Sequence, residues 1–298
     1  MTPEERAVAL AAAAGVAPAG SHLEERLDHY FDLARAEKYD DAYRGLRNED
    51  ALSAAEKKAI IAAVNRALLF ERQREWGNHG IKRSFRFWND RQKARYVQRS
   101  LEIIDLLKRE ITPHVSFGFG SVLGMIRDRD FIPHDDDMDL IIALPYERRS
   151  RITRAMTRLR NLLERRGLHI LPKKDPTSLT SYPAVLARLR SLLEENDFHV
   201  PQGRRISHLT TAREGRAGTD IFVGFFEPDG QVSWFPSARG RLSMQDVFPT
   251  QGLHFFGGDC PIPRDPLKYL EATYGPDWQT PISNWNHPWD VKPYREFL

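Results

Sequence analysis

The chain has 298 residues, 41% of them hydrophobic and 29% charged, with a formal net charge of +3. That composition is expected of a soluble globular chain with a real core, and it excludes collagen-like and disordered classes. A single cysteine, Cys260, excludes an internal disulfide and a cysteine-built metal site, and a reducing cytoplasm is the expected setting.

The first 90 residues read as helical. Thr2, Pro3 and Glu5 form a helix-start signal before the apolar stretch Ala7 to Ala17, and Gly15 offers a stop. That stretch has no basic leader, so an ordinary helix is expected there rather than a signal peptide. No run approaches the length of a membrane span. Ser21 to Glu24 and Ser53 to Glu56 are further capping boxes, and the second opens a helix with Ile60, Val64 and Leu68 on one stripe. Between Arg74 and Ser84, two glycines and an asparagine predict a break between regions. A helix is expected from about Gln92 to Glu110, with Val97, Leu101, Ile104 and Leu107 inward and Pro113 beyond its end. These signals divide the chain into a helical region, 1–90, and a second region, 91–298.

The pattern then changes. "HVSFGFGS" reads as a short strand ending in glycine, "VLGMIRD" as one or two helical turns and "DMDLIIAL" as a buried strand. Tyr146 to Arg166 is strongly helical. It carries eight arginines, which form a solvated basic face or a surface for anionic lipid. "RRISHLTT" and "TDIFVGFF" are two further strand candidates. Strands interleaved with helices predict an α/β or α+β core.

Four of the five residues from Asp135 to Asp139 are aspartates, directly before the apolar run Leu140 to Leu144. On a strand, Asp137 and Asp139 would project together, with Met138 and Leu140 facing the core. Two carboxylates so close disfavour each other's ionisation unless a cation compensates, and oxygen-only ligands suit Mg²⁺ or Mn²⁺. A solvated acidic turn is the alternative. Upstream, Gly120 and Ser121 sit between a strand and a short helix. They form either a phosphate-binding turn or a plain connection. Arg127 and Arg129 offer forked donors to phosphate, or pair with Asp128 and Asp130.

The stretch "GSVLGMIRDRDFIPHDDDMDL" resembles the motif of the LicD family, shared by fukutin-related proteins, in which an LLG turn and an arginine precede FIPWDDDxD. Gly120, Ser121, Leu123, Gly124, Arg127, Phe131, Ile132, Pro133, Asp135, Asp136, Asp137 and Asp139 match, and His134 stands where tryptophan is common. "TDIFVGFF" resembles the family's later D-I-F strand, and the ending "CPIPRDPLKYLEATYGPDWQTP" its P-x-x-x-L and YG-x-x-W elements. The resemblance runs from Phe117 to Pro281 and leaves the helical region unmatched.

The resemblance implies a nucleotidyltransferase-like fold and a metal-dependent phosphotransferase. Such an enzyme moves a phospho-alcohol, such as phosphocholine, from a CDP-linked donor to a hydroxyl of a surface glycan or its precursor, as in lipopolysaccharide or capsule synthesis. It implies Asp220 as a neighbour of the D-x-D pair, so that Asp137, Asp139 and Asp220 hold Mg²⁺ or Mn²⁺ and carry catalysis. Gly120, Ser121 and Arg127 would then bind donor phosphate, with Asp135 and Asp136 in support. The acceptor could be lipid-linked, with the protein touching the inner face of the membrane. A nucleotidyltransferase acting on a small molecule and an inactive binding module are the alternatives. A nucleic-acid partner is not expected, because only Tyr146 interrupts the arginines of the basic helix. Trp278, Trp285 and Trp289 pack in a core or lid, or stack on sugar or base.

Overall fold

The computed structural model describes residues 22–77, 79–144, 208–211, 218–226, 229–234 and 242–281. The expected helices at Thr2–Gly15 and Tyr146–Arg166, the first residue of the Ser21 capping box, Trp285 and Trp289 lie outside the described residues. Two compact units are present, one of residues 1–89 with 133–136, the other of 90–132 with 137–298.

In the first unit, α1 (His22–Arg35), α2 (Tyr39–Arg47) and α3 (Ala54–Val64) pack around Leu27, Phe31, Leu46, Ile60 and Val64. Burying each of the larger apolar side chains contributes about 1.5–3 kcal/mol. The Ser53 capping box is formed: the Glu56 N–H donates to Ser53 Oγ at 3.3 Å, and the Ser53 N–H to Glu56 Oε2 at 2.8 Å. The helix then widens into a π turn, Asn65–Leu69, closed by the Phe70 N–H on the Asn65 carbonyl at 2.9 Å.

The glycine-rich break after Arg74 is a hairpin, β1 (Glu75–Gly77) paired with β2 (Gly80–Lys82), so this helical region also holds two short strands. Gly80 takes φ +115°, which a side chain would resist, and that supplies the tight reversal. The hairpin is anchored by buried Trp76 and Ile81. Asn65 also bonds both backbone groups of Trp76, at 2.6 and 3.2 Å. A single 3₁₀ turn, Phe85–Phe87, follows.

The second unit opens with α4 (Asp90–Glu110), whose Val97, Ile104 and Leu107 are buried as the stripe predicts, with Leu101 half-buried. Its described sheet runs β3 (Val115–Phe117), β4 (Met138–Leu144), β6 (Thr219–Phe226), β7 (Gln231–Trp234) and β8 (Leu242–Ser243), with β5 (His208–Thr211) also on β6. β3 pairs antiparallel with β4, whereas β4 and β6 are parallel. A parallel pair needs a long connection, and β4 and β6 lie far enough apart in the chain to allow one. From Leu140 to Leu144 every residue of β4 is buried, which is why that run is unbroken rather than alternating.

Helix α5 (Phe119–Leu123) and a π turn (Gly124–Asp128) link β3 towards β4. After α6 (Met244–Val247), a hairpin of β9 (Gln251–Phe255) and β10 (Gly258–Ile262) packs β10 against α4. A Cβ on Gly258 would lie 2.7 Å from Leu101 Cδ1. Helix α7 (Pro266–Tyr274) starts on Asp265, which accepts from the Lys268 N–H at 3.1 Å, and stops at Gly275. Helices and a mixed sheet together make the α+β class expected from the sequence. Among the described residues no helix is long and apolar enough to cross a membrane.

Candidate active site

Strand β4 starts at Met138, so Asp139 lies within it and Asp137 one residue before it. Asp139 is half-buried, between fully buried Met138 and Leu140. Its register partner on β6 is Asp220, only 7% exposed. Register partners on parallel strands face the same side of the sheet, so the structure brings these two acids together.

The turn from Gly118 to Ser121 holds Asp139 by all three of its polar groups. The Gly120 N–H donates to Asp139 Oδ2 at 2.8 Å, the Asp139 N–H donates to Ser121 Oγ at 2.8 Å, and the Gly118 N–H donates to the Asp139 carbonyl at 3.0 Å. The Gly120 N–H, one of the groups that a phosphate-binding turn would offer, is committed to the acid. Ser121 acts as an acceptor here, which leaves its hydroxyl proton to be donated.

The turn is tightly built. A Cβ on Gly118 would sit 2.5 Å from Ile141 Cγ2. Phe119 adopts φ +39°, uncommon for a side-chain-bearing residue. Its N–H donates to the Tyr269 hydroxyl of α7 at 2.9 Å, and its ring leans on Phe222 of β6 at 4.6 Å. Burial pushes the Tyr269 phenol up, so it stays a neutral hydroxyl at this turn.

Tyr96 of α4 reaches the entrance of both acid-bearing strands. Its hydroxyl donates to the Gly218 carbonyl, which also accepts from the Met138 N–H at 3.3 Å. Burial raises this phenol well above its ordinary value, and the charges of Asp137 and Asp220 add to the rise.

In the first unit, the loop 133–136 is held from the hairpin side. The Phe85 N–H donates to the Asp135 carbonyl at 2.9 Å and the Arg86 N–H to the Pro133 carbonyl at 2.8 Å. His79 Nδ1 lies 2.9 Å from Asp136 Oδ1, and the Lys82 ammonium bonds Asp136 Oδ2. Burial works to raise the Asp136 carboxyl, but the His79 hydrogen bond and the Lys82 charge outweigh it and hold it below the usual range. The bond to Asp136 raises His79 in turn, against the effect of burial. Burial raises Asp135. Potential ligand atoms of His79, Asp135 and Asp136 lie within 4.8 Å of one another, and Asp137 follows directly in the chain.

Of the two arginines, Arg127 takes the aspartate pairing that the sequence offered, whereas Asp130 takes a different cation. Arg127 makes a two-point contact with Asp128, both bonds at 2.8 Å. Asp130 takes Lys93 of α4 instead of Arg129, at 2.6 and 2.7 Å, and the Lys93 ammonium also lies over the rings of Phe131 and Phe256. Gly124 admits no side chain, because a Cβ there would meet the Asp130 carbonyl at 2.7 Å.

His79 and Lys82 are the residues that sequence reasoning missed. They stand 57 and 54 positions before Asp136, and no local spacing links them to it. A histidine set between two glycines in a reversal was the only mark. Arg148 to Arg166, Arg188, Arg190, Arg213, Arg216 and His287 lie outside the described residues.

Residues 116–265, half of the chain, match a family model described as LicD/FKTN/FKRP, nucleotidyltransferase domain. No curated protein matches the chain at a significant level.

Proposed function

The chain belongs to the LicD family, a family of glycan-modifying transferases, and from that premise we propose that it transfers a phospho-alcohol from a CDP-linked donor to a glycan hydroxyl. The observation that carries this reading is the pairing of Asp139 with Asp220 across β4 and β6, with Asp139 fixed by the 118–121 turn.

The donor set fits a hard divalent cation. Asp137, Asp139 and Asp220 offer carboxylate oxygens only, as Mg²⁺ and Mn²⁺ prefer. These three acids would hold it. When bound, the cation supplies positive charge against the diphosphate and the departing nucleotide.

The protein's own groups do the rest. The Gly120 N–H occupies one of the roughly four acceptor sites of the Asp139 carboxylate and fixes its direction. The acceptor hydroxyl oxygen attacks the phosphorus bearing the alcohol. A new P–O bond forms, the P–O bond to CMP breaks, and CMP leaves with that bonding pair. The hydroxyl proton passes to a carboxylate, for which Asp220 is the buried candidate. Ser121 has a hydroxyl proton to give a donor phosphate oxygen. Arg127 serves the same phosphate by exchanging its contact with Asp128.

The acceptor in this reading is a surface glycan or its precursor, lipid-linked or free, met in the cytoplasm. Incubation with CDP-choline, CDP-ribitol, CDP-glycerol or CDP-ethanolamine and Mg²⁺ or Mn²⁺ tests it. Release of CMP from one donor is expected, and no release from any donor counts against the reading.

A further inference from the structure

The family match begins at residue 116, so the hairpin β1–β2 lies outside the domain whose activity it would serve. Even so, the contacts of residues 133–136 group that loop with the N-terminal unit. We infer that this hairpin is a clamp on the aspartate loop, with His79 and Lys82 as positioning residues that act through Asp136 on Asp137 and the strand that follows. The inference rests on the functional reading above for what the loop serves, and on geometry alone for the clamp.

Four contacts define the clamp. His79 and Lys82 take one carboxylate oxygen of Asp136 each, Oδ1 and Oδ2. The Phe85 and Arg86 N–H groups take the carbonyls of Asp135 and Pro133 at 2.9 and 2.8 Å. A carboxylate held at both oxygens cannot rotate, and two fixed carbonyls set the path of the loop's backbone.

The clamp is itself rigid. Glu75 at the start of β1 is buried, accepts from Ser84 Oγ at 2.6 Å and pairs with Arg86 at 3.3 Å, so strand and 3₁₀ turn are tied together. Asp137 follows Asp136 directly in the chain, so a fixed Asp136 sets the point from which Asp137 departs. Asp136 is neutralised by the protein's own Lys82 ammonium.

The sign of one measurement separates positioning from mere charge. Removing a nearby positive charge should tighten cation binding, whereas loosening the loop should weaken it. Mn²⁺ is titrated into the full chain and free Mn²⁺ followed by electron paramagnetic resonance. Lys82→Met is expected to weaken binding about tenfold, as for other residues that orient ligands. Lys82→Arg should restore it, and Lys82→Met should add nothing in an Asp136→Asn background. Unchanged or tighter binding in Lys82→Met, or additive effects in the double variant, overturns the inference.

Amide exchange on the metal-free protein supplies a second readout. Lys82→Met should speed exchange at Phe85, Arg86 and the 136–139 segment while α1 to α3 stay protected, and unchanged exchange there also overturns the clamp. If the unaltered protein binds no Mn²⁺, the functional reading falls, and exchange still decides the clamp.

Discussion

Asp139 and Asp220 stand opposite each other on parallel strands β4 and β6, on the same side of the sheet, and the second is buried. Neighbouring strands lie about 4.8 Å apart, so two carboxylates at one register position repel unless something positive lies between them. Strand pairing alone would not choose such a pair. In the reading proposed above, a bound divalent cation supplies that positive charge, and the 118–121 turn directs Asp139 towards it.

Asp139→Asn and Asp220→Asn keep shape and remove charge. Each is expected to lower metal-dependent donor turnover by at least about a hundredfold, with the circular dichroism spectrum retained. Turnover kept at the level of the unaltered protein in either variant would remove that residue from the site.

Two of the glycines in and beside the motif, Gly118 and Gly124, have steric reasons. A Cβ at Gly118 would press on a branch methyl of buried Ile141, and one at Gly124 on the backbone carbonyl of Asp130. Gly118→Ala and Gly124→Ala should each cost about 1–3 kcal/mol, read as a lower urea midpoint with an unchanged slope.

Tyr269 is 1% exposed, and its hydroxyl is the acceptor for the Phe119 N–H in the left-handed turn. Tyr269→Phe strands that donor, at a cost of about 1–3 kcal/mol. Because Phe119 adjoins Gly120, the variant should also lose turnover beyond its loss of stability. Equal stability in the two proteins would show that the N–H finds another partner.

Much of this was legible locally. The unbroken apolar run of "DMDLIIAL" marked β4 as buried, the 3.6-residue stripe marked α4, and Ser53 with Glu56 marked the start of α3. Asp137, Asp139 and Asp220 were legible as a set only through family resemblance, since nothing in the chain states that residue 139 meets residue 220. What stayed hidden is non-local. The Gly-Ser turn read as a phosphate-binding turn or a plain connection, because its N–H could not be seen to serve an acid 19 residues on. Arg129 seemed a partner for Asp130 because they are adjacent, yet Lys93, 37 residues away, packs there between aromatic rings. The stretch around His79 carried only the signals of a reversal, and so read as a break rather than a hairpin.

His114 packs between the rings of Phe226 and Phe248, with centroids 4.7 and 5.2 Å away, and burial holds it below its ordinary 6.5. The unfolded chain therefore binds a proton at a pH where the folded chain does not. This contribution is complete above pH 6.5 and is lost as pH falls through the lowered folded value. Urea unfolding at pH 7.5 and 5.5 should show a smaller acid loss in His114→Phe than in the unaltered protein. Equal losses would mean that His114 titrates alike in both states.

The most direct measurement follows the donor's phosphorus through one round of reaction. With the accepted CDP-alcohol, a divalent cation and a glycan acceptor, phosphorus NMR should show CMP and an acceptor phosphodiester appearing together, and a parallel mixture with CTP in place of the CDP-alcohol should release no pyrophosphate. Pyrophosphate released from CTP, with CMP attached to the acceptor, would contradict phospho-alcohol transfer and identify nucleotidyl transfer instead.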